Sequence, residues 1–338
     1  MAATKCNLLI NLPGGFFTTP ALKPVLARFG KKANVRKTSW NTPEEIVGDL
    51  AWADAVVMWS WPTLKKETLD QAPNLKFAGH INISLTGARH ELAHGLAISE
   101  ARHGWSPAVA EMALTLMLAG LRKTSAYHLA MRQGTEPWVR SFPDDIDPLE
   151  RQLTGRPVGI VGLGRIGQRL AELLAPFHVQ LRAFDPFLPK AVAAQYGAKL
   201  VTLDELIGKS DVVVLCAANT EGARNLLGKA EIAALRKNAV LVNVGRSLLV
   251  DMAALARRLR RGDLVAMLDV FDKEPLETDS EFRSLPNAYL TPHRAGGLME
   301  SVERLLTMLA DDFEAWQKKK PLRYPLTAKA LPSLSDNG

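Results

Sequence analysis

Three glycines and one aspartate in this chain have the residue types and the spacing to hold a dinucleotide. Gly162, Gly164 and Gly167 follow one apolar run, and Asp185 ends the next one. In a strand–turn–helix–strand unit, the first glycine permits a sharp turn, the second lets a pyrophosphate reach the backbone, and the third lets helix and strand pack closely. The helix N-terminus then offers N–H donors to the phosphates. Because a carboxylate accepts hydrogen bonds from both ribose hydroxyls and repels a 2′-phosphate, Asp185 predicts NAD rather than NADP.

A second set of polar residues follows three later apolar runs. Arg246 comes after LVNVG, Glu274 after MLDVFDK, and His293 after YLTP. Arginine can hold a carboxylate and polarise a carbonyl, histidine can exchange a proton near neutral pH, and a carboxylate can orient that histidine. Taken alone, Arg246 could be a surface loop charge, Glu274 a solvated loop residue and His293 a structural histidine. Because ligands of open parallel sheets bind at the carboxyl ends of strands, the three together predict hydride transfer to a 2-oxo acid.

Strand and helix patterns alternate along most of the chain, which predicts an α/β fold with mainly parallel sheets. The predicted strands are 7–12, 34–38, 55–59, 75–80, 96–99, 158–161, 179–184, 198–201, 211–216, 239–244, 264–270 and 288–291. A capping box, Thr42 to Glu45, opens one helix, and a long apolar helix is expected from Val109 to about Tyr127. We expect the last helix, Met299–Lys318, to pack on the first unit, because no strand follows it.

Composition sets limits on partners and compartment. The chain has 338 residues, 47% hydrophobic residues and a formal net charge of +7. The basic residues are spread along the sequence, so we expect no nucleic-acid partner. We also expect no membrane association, because no apolar run approaches a membrane span. Cys6 adjoins the first predicted strand and Cys216 ends a later one; both indicate core thiols in a reducing compartment, so a cytoplasmic protein is expected.

These motifs together resemble those of the D-isomer specific 2-hydroxyacid dehydrogenase family, most strongly from about Val109 to Gly297. The resemblance implies two doubly wound parallel-sheet domains of the α/β class. A flavodoxin-like substrate domain would comprise residues 1–102 and 297–338, and a Rossmann NAD-binding domain would be inserted at 103–296. It further implies a homodimer that transfers hydride between NAD(H) and a D-2-hydroxy acid or the corresponding 2-oxo acid.

The resemblance also assigns roles to particular residues. Arg246 would anchor the substrate carboxylate, while His293 and Glu274 would act as the acid/base pair. The expected cofactor contacts lie in the glycine turn and at later strand ends: Gly162, Gly164, Arg165, Ile166, Gly167, Asp185, Thr220, Val244, Gly245, Asp269 and Gly296. Ser247 stands where the family usually has glycine, and Ala218 where it often has proline. We expect both departures to be tolerated.

The segment Gly79–Glu91 departs further from the family pattern. The family commonly carries a Gly-x-Gly-x-Asp stretch there, whose backbone N–H groups hold the substrate carboxylate. This chain reads GHINISLTGARHE and is shorter, and none of its residues matches that pattern. The departure leaves two alternatives open: a dehydrogenase of an atypical substrate, such as formate or phosphite, and a non-enzymatic, NAD-responsive dimeric corepressor.

Two further features have competing interpretations. The sequence HELAH, His90–His94, matches a zinc-protease motif, but Gly95 ends the predicted helix and no third ligand follows at a typical spacing. The aromatic residues Phe16, Phe17, Trp59 and Trp61 could line an apolar substrate pocket or pack beneath the loops that carry them.

Overall fold

The computed structural model describes residues 5–218 and 220–336. The chain divides into two compact units: unit 1 comprises Met1–Trp105 and Gly297–Gly338, and unit 2 comprises Ser106–Gly296. The first boundary lies three residues beyond the 102 expected from the sequence. Each unit is built on its own parallel sheet.

Unit 1 begins with alternating strands and helices. Its strands are β1 (Cys6–Asn11), β2 (Ala33–Thr38), β3 (Ala55–Met58), β4 (Phe77–His80) and β5 (Ala97–Glu100). Its first helices are α1 (Gly14–Thr18), α2 (Lys23–Gly30), α3 (Pro43–Trp52), α4 (Lys66–Leu69) and α5 (Leu85–Ala93). The five strands are parallel and lie in the order β2-β1-β3-β4-β5, which is the flavodoxin-like order.

Unit 2 repeats this alternation over a larger sheet. Its strands are β6 (Pro157–Val161), β7 (Gln180–Phe184), β8 (Lys199–Leu200), β9 (Val212–Leu215), β10 (Ala239–Asn243), β11 (Leu264–Leu268) and β12 (Ala288–Leu290). Its helices are α6 (Ser106–Arg122), α7 (Thr124–Gln133), α8 (Arg165–Leu174), α9 (Lys190–Gln195), α10 (Leu203–Lys209), α11 (Lys229–Ala234) and α12 (Met252–Leu259). The strands pair in parallel in the order β12-β11-β10-β9-β6-β7-β8. The order reverses direction at β6, as in a Rossmann sheet.

The last helix, α13 (Met299–Gln317), returns to unit 1 and packs on α2 and β4. Its residue Phe313 lies with its ring centroid 5.8 Å from those of Phe29 and Phe77. All three rings are buried. Unit 1 is therefore completed by a segment from the far end of the chain.

The local sequence explains why these elements form. The strands β3, β9 and β10 read AVVM, VVVL and AVLVN, and every residue in them is buried, as expected for parallel strands covered by helices on both faces. The capping box at α3 forms as predicted, because Thr42 accepts a hydrogen bond from the Glu45 N–H and the Glu45 carboxylate accepts one from the Thr42 N–H. All of the predicted strands are present, with ends shifted by up to two residues.

The prediction of one long helix from Val109 to Tyr127 is wrong. The helix ends at Arg122, Lys123 adopts a left-handed conformation with φ 49°, and α7 starts at Thr124. The N–H of Arg151 donates to the carbonyl of Leu121, and the Lys123 ammonium pairs with Asp147. Contacts from a segment more than twenty residues away thus end the helix, and no local breaker such as proline marks the site.

The segment Arg102–Arg122 is long and apolar enough to cross a membrane, by length and composition alone. This corrects the expectation that no run approaches that limit. More than half of its most apolar part is buried inside the protein, and α6 packs on α8 and β10. Gly120 allows this approach, because a Cβ there would lie 2.7 Å from Val240 Cγ1. The apolar face of α6 is thus a core face.

A cluster of charges joins three neighbouring strands at the amino edge of the unit 2 sheet. Asp211 directly precedes β9, and its two carboxylate oxygens each lie 3.0 Å from a guanidinium nitrogen, one of Arg156 and one of Arg236. Arg156 precedes β6, and Arg236 lies in the turn before β10. The Asp211 side chain is only 14% exposed, so its charge is poorly screened by solvent.

We predict that Asp211→Asn lowers the Tm by about 5 °C, because it leaves two guanidinium groups close together without their shared counter-charge. Scanning calorimetry measures the change. The control is Glu172→Gln, which removes a surface ion pair with Arg169 whose two side chains are about half exposed and should change the Tm by less than about 1 °C. Equal Tm values for the two variants would contradict a stabilising role for the cluster.

Candidate active site

The glycine turn between β6 and α8 has the shape that a pyrophosphate requires. Gly162 has φ 88°, and a Cβ there would lie 2.5 Å from the Ala217 Cα. A Cβ at Gly167 would lie 2.4 Å from the Gly162 carbonyl oxygen, so this glycine brings helix and strand together. A Cβ at Gly164 would meet nothing within 4 Å. The two outer glycines are therefore required by the fold, whereas the middle one leaves open space in front of the helix N-terminus for a ligand.

Asp185 follows β7 and is held against this turn. Its Oδ2 accepts a hydrogen bond of 3.0 Å from the Leu163 N–H, and its Oδ1 accepts one of 3.0 Å from the Phe187 N–H. A carboxylate oxygen can accept more than one hydrogen bond, so both oxygens keep capacity for ribose hydroxyls. The carboxylate and the open turn thus fit the sugar and phosphates of a dinucleotide.

The other expected cofactor residues also belong to unit 2. Arg165 and Ile166 open α8, and Gly296 is the last residue of the unit. Four residues follow the carboxyl ends of neighbouring strands: Thr220 beyond β9, Val244 and Gly245 after β10, and Asp269 after β11. The strands β11, β10, β9 and β6 follow one another in the sheet, so these residues are positioned along one edge of it.

Arg246 is positioned by an Asx turn at the end of β10. The side chain of Asn243 accepts a hydrogen bond from the Gly245 N–H (3.1 Å) and donates one to the Arg246 carbonyl oxygen (3.0 Å). Burial lowers the pKa of the Arg246 guanidinium, and the nearby Glu274 opposes that shift. Because an arginine remains charged even so, it presents a poorly hydrated cation that would bind a carboxylate strongly.

Glu274 and His293 form a direct hydrogen bond. His293 Nδ1 lies 2.6 Å from Glu274 Oε2, and the other carboxylate oxygen, Oε1, accepts a hydrogen bond of 2.9 Å from the Phe271 N–H. Since a carboxylate only accepts, Nδ1 carries the proton and Nε2 is left for a reacting group. The structure therefore brings Arg246, Glu274 and His293 together, although their roles remain predictions.

Asp269 has a structural part in this site that the sequence did not reveal. It is fully buried, and its Oδ1 accepts hydrogen bonds from the Thr291 hydroxyl (2.6 Å) and the Arg294 N–H (2.9 Å). Its Oδ2 accepts one from the Ala295 N–H (2.9 Å). These bonds hold both sides of His293, which has φ 49°. The only sequence signal for Thr291 was a hydroxyl at the end of a predicted strand, two residues before the histidine.

The unusual segment of unit 1 forms a short turn and a helix. Four residues separate β4 from α5, and Ser84 caps the helix by accepting a hydrogen bond from the Gly87 N–H. Within α5, Glu91 is buried and its Oε2 lies 2.8 Å from His80 Nε2. The general base that a zinc-protease motif requires is thus paired inside the core. In the described ranges, no group of three or more His, Cys, Asp or Glu side chains could hold a metal.

The aromatic residues of unit 1 mainly pack on its core. Phe16, Phe17 and Trp59 lie partly buried against the apolar cluster around α2 and α13, and the Trp59 ring meets that of Phe16 edge-on at 5.3 Å between centroids. Trp61 is 37% exposed and touches the edge of Trp59. Of the two interpretations, packing beneath the loops therefore describes the first three rings, and Trp61 is left on the surface.

We predict opposite outcomes for two glycine substitutions in the turn. Gly162→Ala should lower the Tm by more than about 5 °C, because of its positive φ and its close backbone neighbour. Gly164→Ala should leave the Tm within about 1 °C but raise the Kd for NADH at least about tenfold, because its methyl group occupies the open space. Calorimetry and titration of NADH fluorescence measure the two effects. NADH affinity unchanged in Gly164→Ala would exclude the turn as the phosphate site.

In a comparison with known protein families, residues 114–295 match the family described as D-isomer specific 2-hydroxyacid dehydrogenase, NAD binding domain. The D-3-phosphoglycerate dehydrogenase of Archaeoglobus fulgidus is 31% identical over 294 residues, which cover 86% of this chain and 54% of that protein. The glyoxylate reductase of Aeropyrum pernix is 29% identical over 280 residues, which cover 82% of this chain and 84% of that enzyme. The chain thus spans about half the length of the first relative and most of the second.

The fold prediction is confirmed by a solved structure. The phosphoglycerate oxidoreductase from Rhizobium etli superimposes with a TM-score of 0.79 at 26% identity, covering 95% of this chain and 98% of that one. The prediction of a nicotinamide cofactor is confirmed for the matched domain, which is the NAD-binding domain of the family. With its glycine turn, Asp185 and strand-end residues in place, this chain belongs to the D-isomer specific 2-hydroxyacid dehydrogenase family.

Proposed function

We propose that the protein is an NAD-dependent dehydrogenase that interconverts a D-2-hydroxy acid and its 2-oxo acid. The observation that carries the proposal is the hydrogen bond between His293 and Glu274, with Arg246 nearby, in a chain of this family. A histidine oriented by a carboxylate, beside a partly desolvated cation, suits proton exchange on a substrate that carries its own carboxylate.

Arg246 binds the substrate in this proposal. Its guanidinium has five N–H donors, of which one on Nη1 donates to the Gly245 carbonyl oxygen at 2.9 Å. The planar group can therefore hold the substrate carboxylate and polarise the adjacent carbonyl. The bound cofactor supplies or accepts the hydride.

His293 moves the proton. During reduction, Nε2 donates to the oxygen of the former carbonyl, and Glu274 stabilises the positive ring that precedes this donation. During oxidation, the neutral ring accepts the hydroxyl proton at the same nitrogen. The Phe271 N–H holds the second oxygen of Glu274, so the carboxylate is oriented before substrate binds.

The test of the reaction class is NADH oxidation, followed by absorbance, with a panel of 2-oxo acids from glyoxylate to phenylpyruvate. NADPH is assayed in parallel, and we expect it to be the poorer cofactor because Asp185 repels a 2′-phosphate. No turnover with any acid despite NADH binding would contradict the proposed dehydrogenase activity. The same result would favour a dinucleotide-responsive binding protein.

With the acid that is turned over, we predict that His293→Asn lowers kcat by about two to four orders of magnitude. Asparagine tolerates the left-handed backbone of this position, so the loop should keep its fold. The Kd for NADH should stay near that of the wild type. The control is Lys273→Gln, which changes an exposed residue next to Glu274 that pairs with Glu277, and it should retain near-normal turnover. A normal kcat in His293→Asn would exclude histidine as the proton donor.

We also propose that the protein is a homodimer formed through the segment 129–149. Of the twelve large hydrophobic side chains that are exposed in the described part of the chain, seven lie in this segment: Leu129, Met131, Trp138, Val139, Phe142, Ile146 and Leu149. Phe142 is 79% exposed. Apolar surface concentrated in this way is typical of a protein–protein interface, and the family resemblance names a second copy as the partner.

Light scattering coupled to size exclusion measures the oligomeric state. We expect the wild type at twice its chain mass of 37.0 kDa. The double variant Trp138→Glu/Phe142→Glu should run as a monomer, because two buried charges would oppose the interface. Phe187→Ser, which changes an 86% exposed ring outside the segment, should remain dimeric. A monomeric wild type would disprove the dimer.

A further inference from the structure

Gln168, in the first turn of α8, connects the glycine turn to a tyrosine at the end of α9. Its side-chain Nε2 donates a hydrogen bond of 3.0 Å to the Leu163 carbonyl oxygen. Its Oε1 accepts one of 3.1 Å from the hydroxyl of Tyr196, which follows α9. Both the nitrogen and the oxygen of the side-chain amide are thus hydrogen-bonded. Because the Tyr196 hydroxyl donates to the oxygen, the nitrogen is the atom that faces the glycine turn.

Leu163 is the residue between the first two glycines of the turn, and both of its backbone polar groups are held. Its N–H donates to Asp185 Oδ2 at 3.0 Å, and its carbonyl accepts from Gln168. Its side chain is fully buried in the core. Leu163 is therefore fixed by three different parts of unit 2: the end of β7, the start of α8 and the core.

The carbonyl of Leu163 shares a peptide plane with the N–H of Gly164. In a planar trans peptide the C=O and the N–H point in opposite directions. When Gln168 holds the carbonyl on the protein side, the Gly164 N–H must point away from Gln168. Gly164 is exposed, and the space around its missing side chain is open. The Gln168 hydrogen bond thus sets the direction in which the Gly164 N–H points.

We propose that Gln168 and Tyr196 are positioning residues for the dinucleotide pyrophosphate, acting through the Leu163–Gly164 peptide. The inference rests on the proposed NAD-dependent function and adds two residues outside the glycine motif and outside Asp185. Tyr196 acts only through Gln168: by occupying Oε1 it prevents the amide from rotating its oxygen toward the Leu163 carbonyl. Without this bond the Leu163 carbonyl loses its restraint, and part of the binding energy would be spent on orienting the peptide.

The test measures the Kd for NADH by titration of its fluorescence in four proteins: wild type, Gln168→Met, Tyr196→Phe and the double variant. Methionine keeps the length of the side chain without the donor. We expect the Kd to rise about three- to tenfold in Gln168→Met and about twofold in Tyr196→Phe. The double variant should equal Gln168→Met, because the tyrosine has no effect without the amide. Once NADH is saturating, kcat should stay at the wild-type value.

Two further measurements separate positioning from a general structural role. Adenosine, which lacks phosphate, should displace NADH with the same affinity for its site in all four proteins. Gln195→Met makes the same substitution at the exposed residue next to Tyr196 and should leave the NADH Kd unchanged. The Tm of each variant should stay within about 2 °C of the wild type.

Each contrary outcome has a distinct meaning. A wild type that does not bind NADH would contradict the proposed function itself. Wild-type binding that is unchanged in Gln168→Met would contradict only the positioning role. Additive effects in the double variant would show that Tyr196 does not act through Gln168, and an equal loss of adenosine affinity would show that the substitutions disturb the fold.

Discussion

The site of unit 2 depends on the buried carboxylate of Asp269. Its own N–H donates to the Asn243 carbonyl oxygen, while its side chain accepts from Thr291, Arg294 and Ala295. Asp269 thus links the ends of β10, β11 and β12, which are neighbours in the sheet. A buried carboxylate is tolerated only when its oxygens are hydrogen-bonded. Here the donors of those hydrogen bonds belong to the segment that carries His293.

The register of the parallel strands also determines which residues meet at the site. Asn243 pairs with Leu215 on β9 and with Leu268 on β11, so neighbouring strands end at the same level. Residues that are distant in sequence, such as Arg246 and His293, therefore emerge from one edge. For this reason, the position of a single polar residue after each apolar run was enough to predict which residues come together.

The fold could be predicted from the sequence because the strands are continuous apolar runs and the helix starts carry caps such as Thr42. What could not be predicted depends on contacts between distant segments. The break at Lys123 follows from the approach of Arg151, and the inward turn of Glu91 follows from its bond to His80. Similarly, the glycine spacing predicted the turn before α8. The hydrogen bond from Gln168 to Leu163 could not be predicted, because it depends on how the first turn of α8 is oriented against the glycine turn. Hydrogen bonds between side chains of different helices and strands leave no periodic pattern in the sequence, so they cannot be predicted from it.

The return of α13 to unit 1 has a consequence for the order in which the protein can fold. Unit 2 is one continuous segment, so all of its strands precede α13 in the order of synthesis. Unit 1 must wait for Phe313 to reach Phe29 and Phe77, and that contact closes a loop containing the whole of unit 2. Closing so long a loop is slow unless the intervening chain is already compact. The inserted unit therefore acts as a folded spacer that brings the two ends of unit 1 within reach of each other during synthesis.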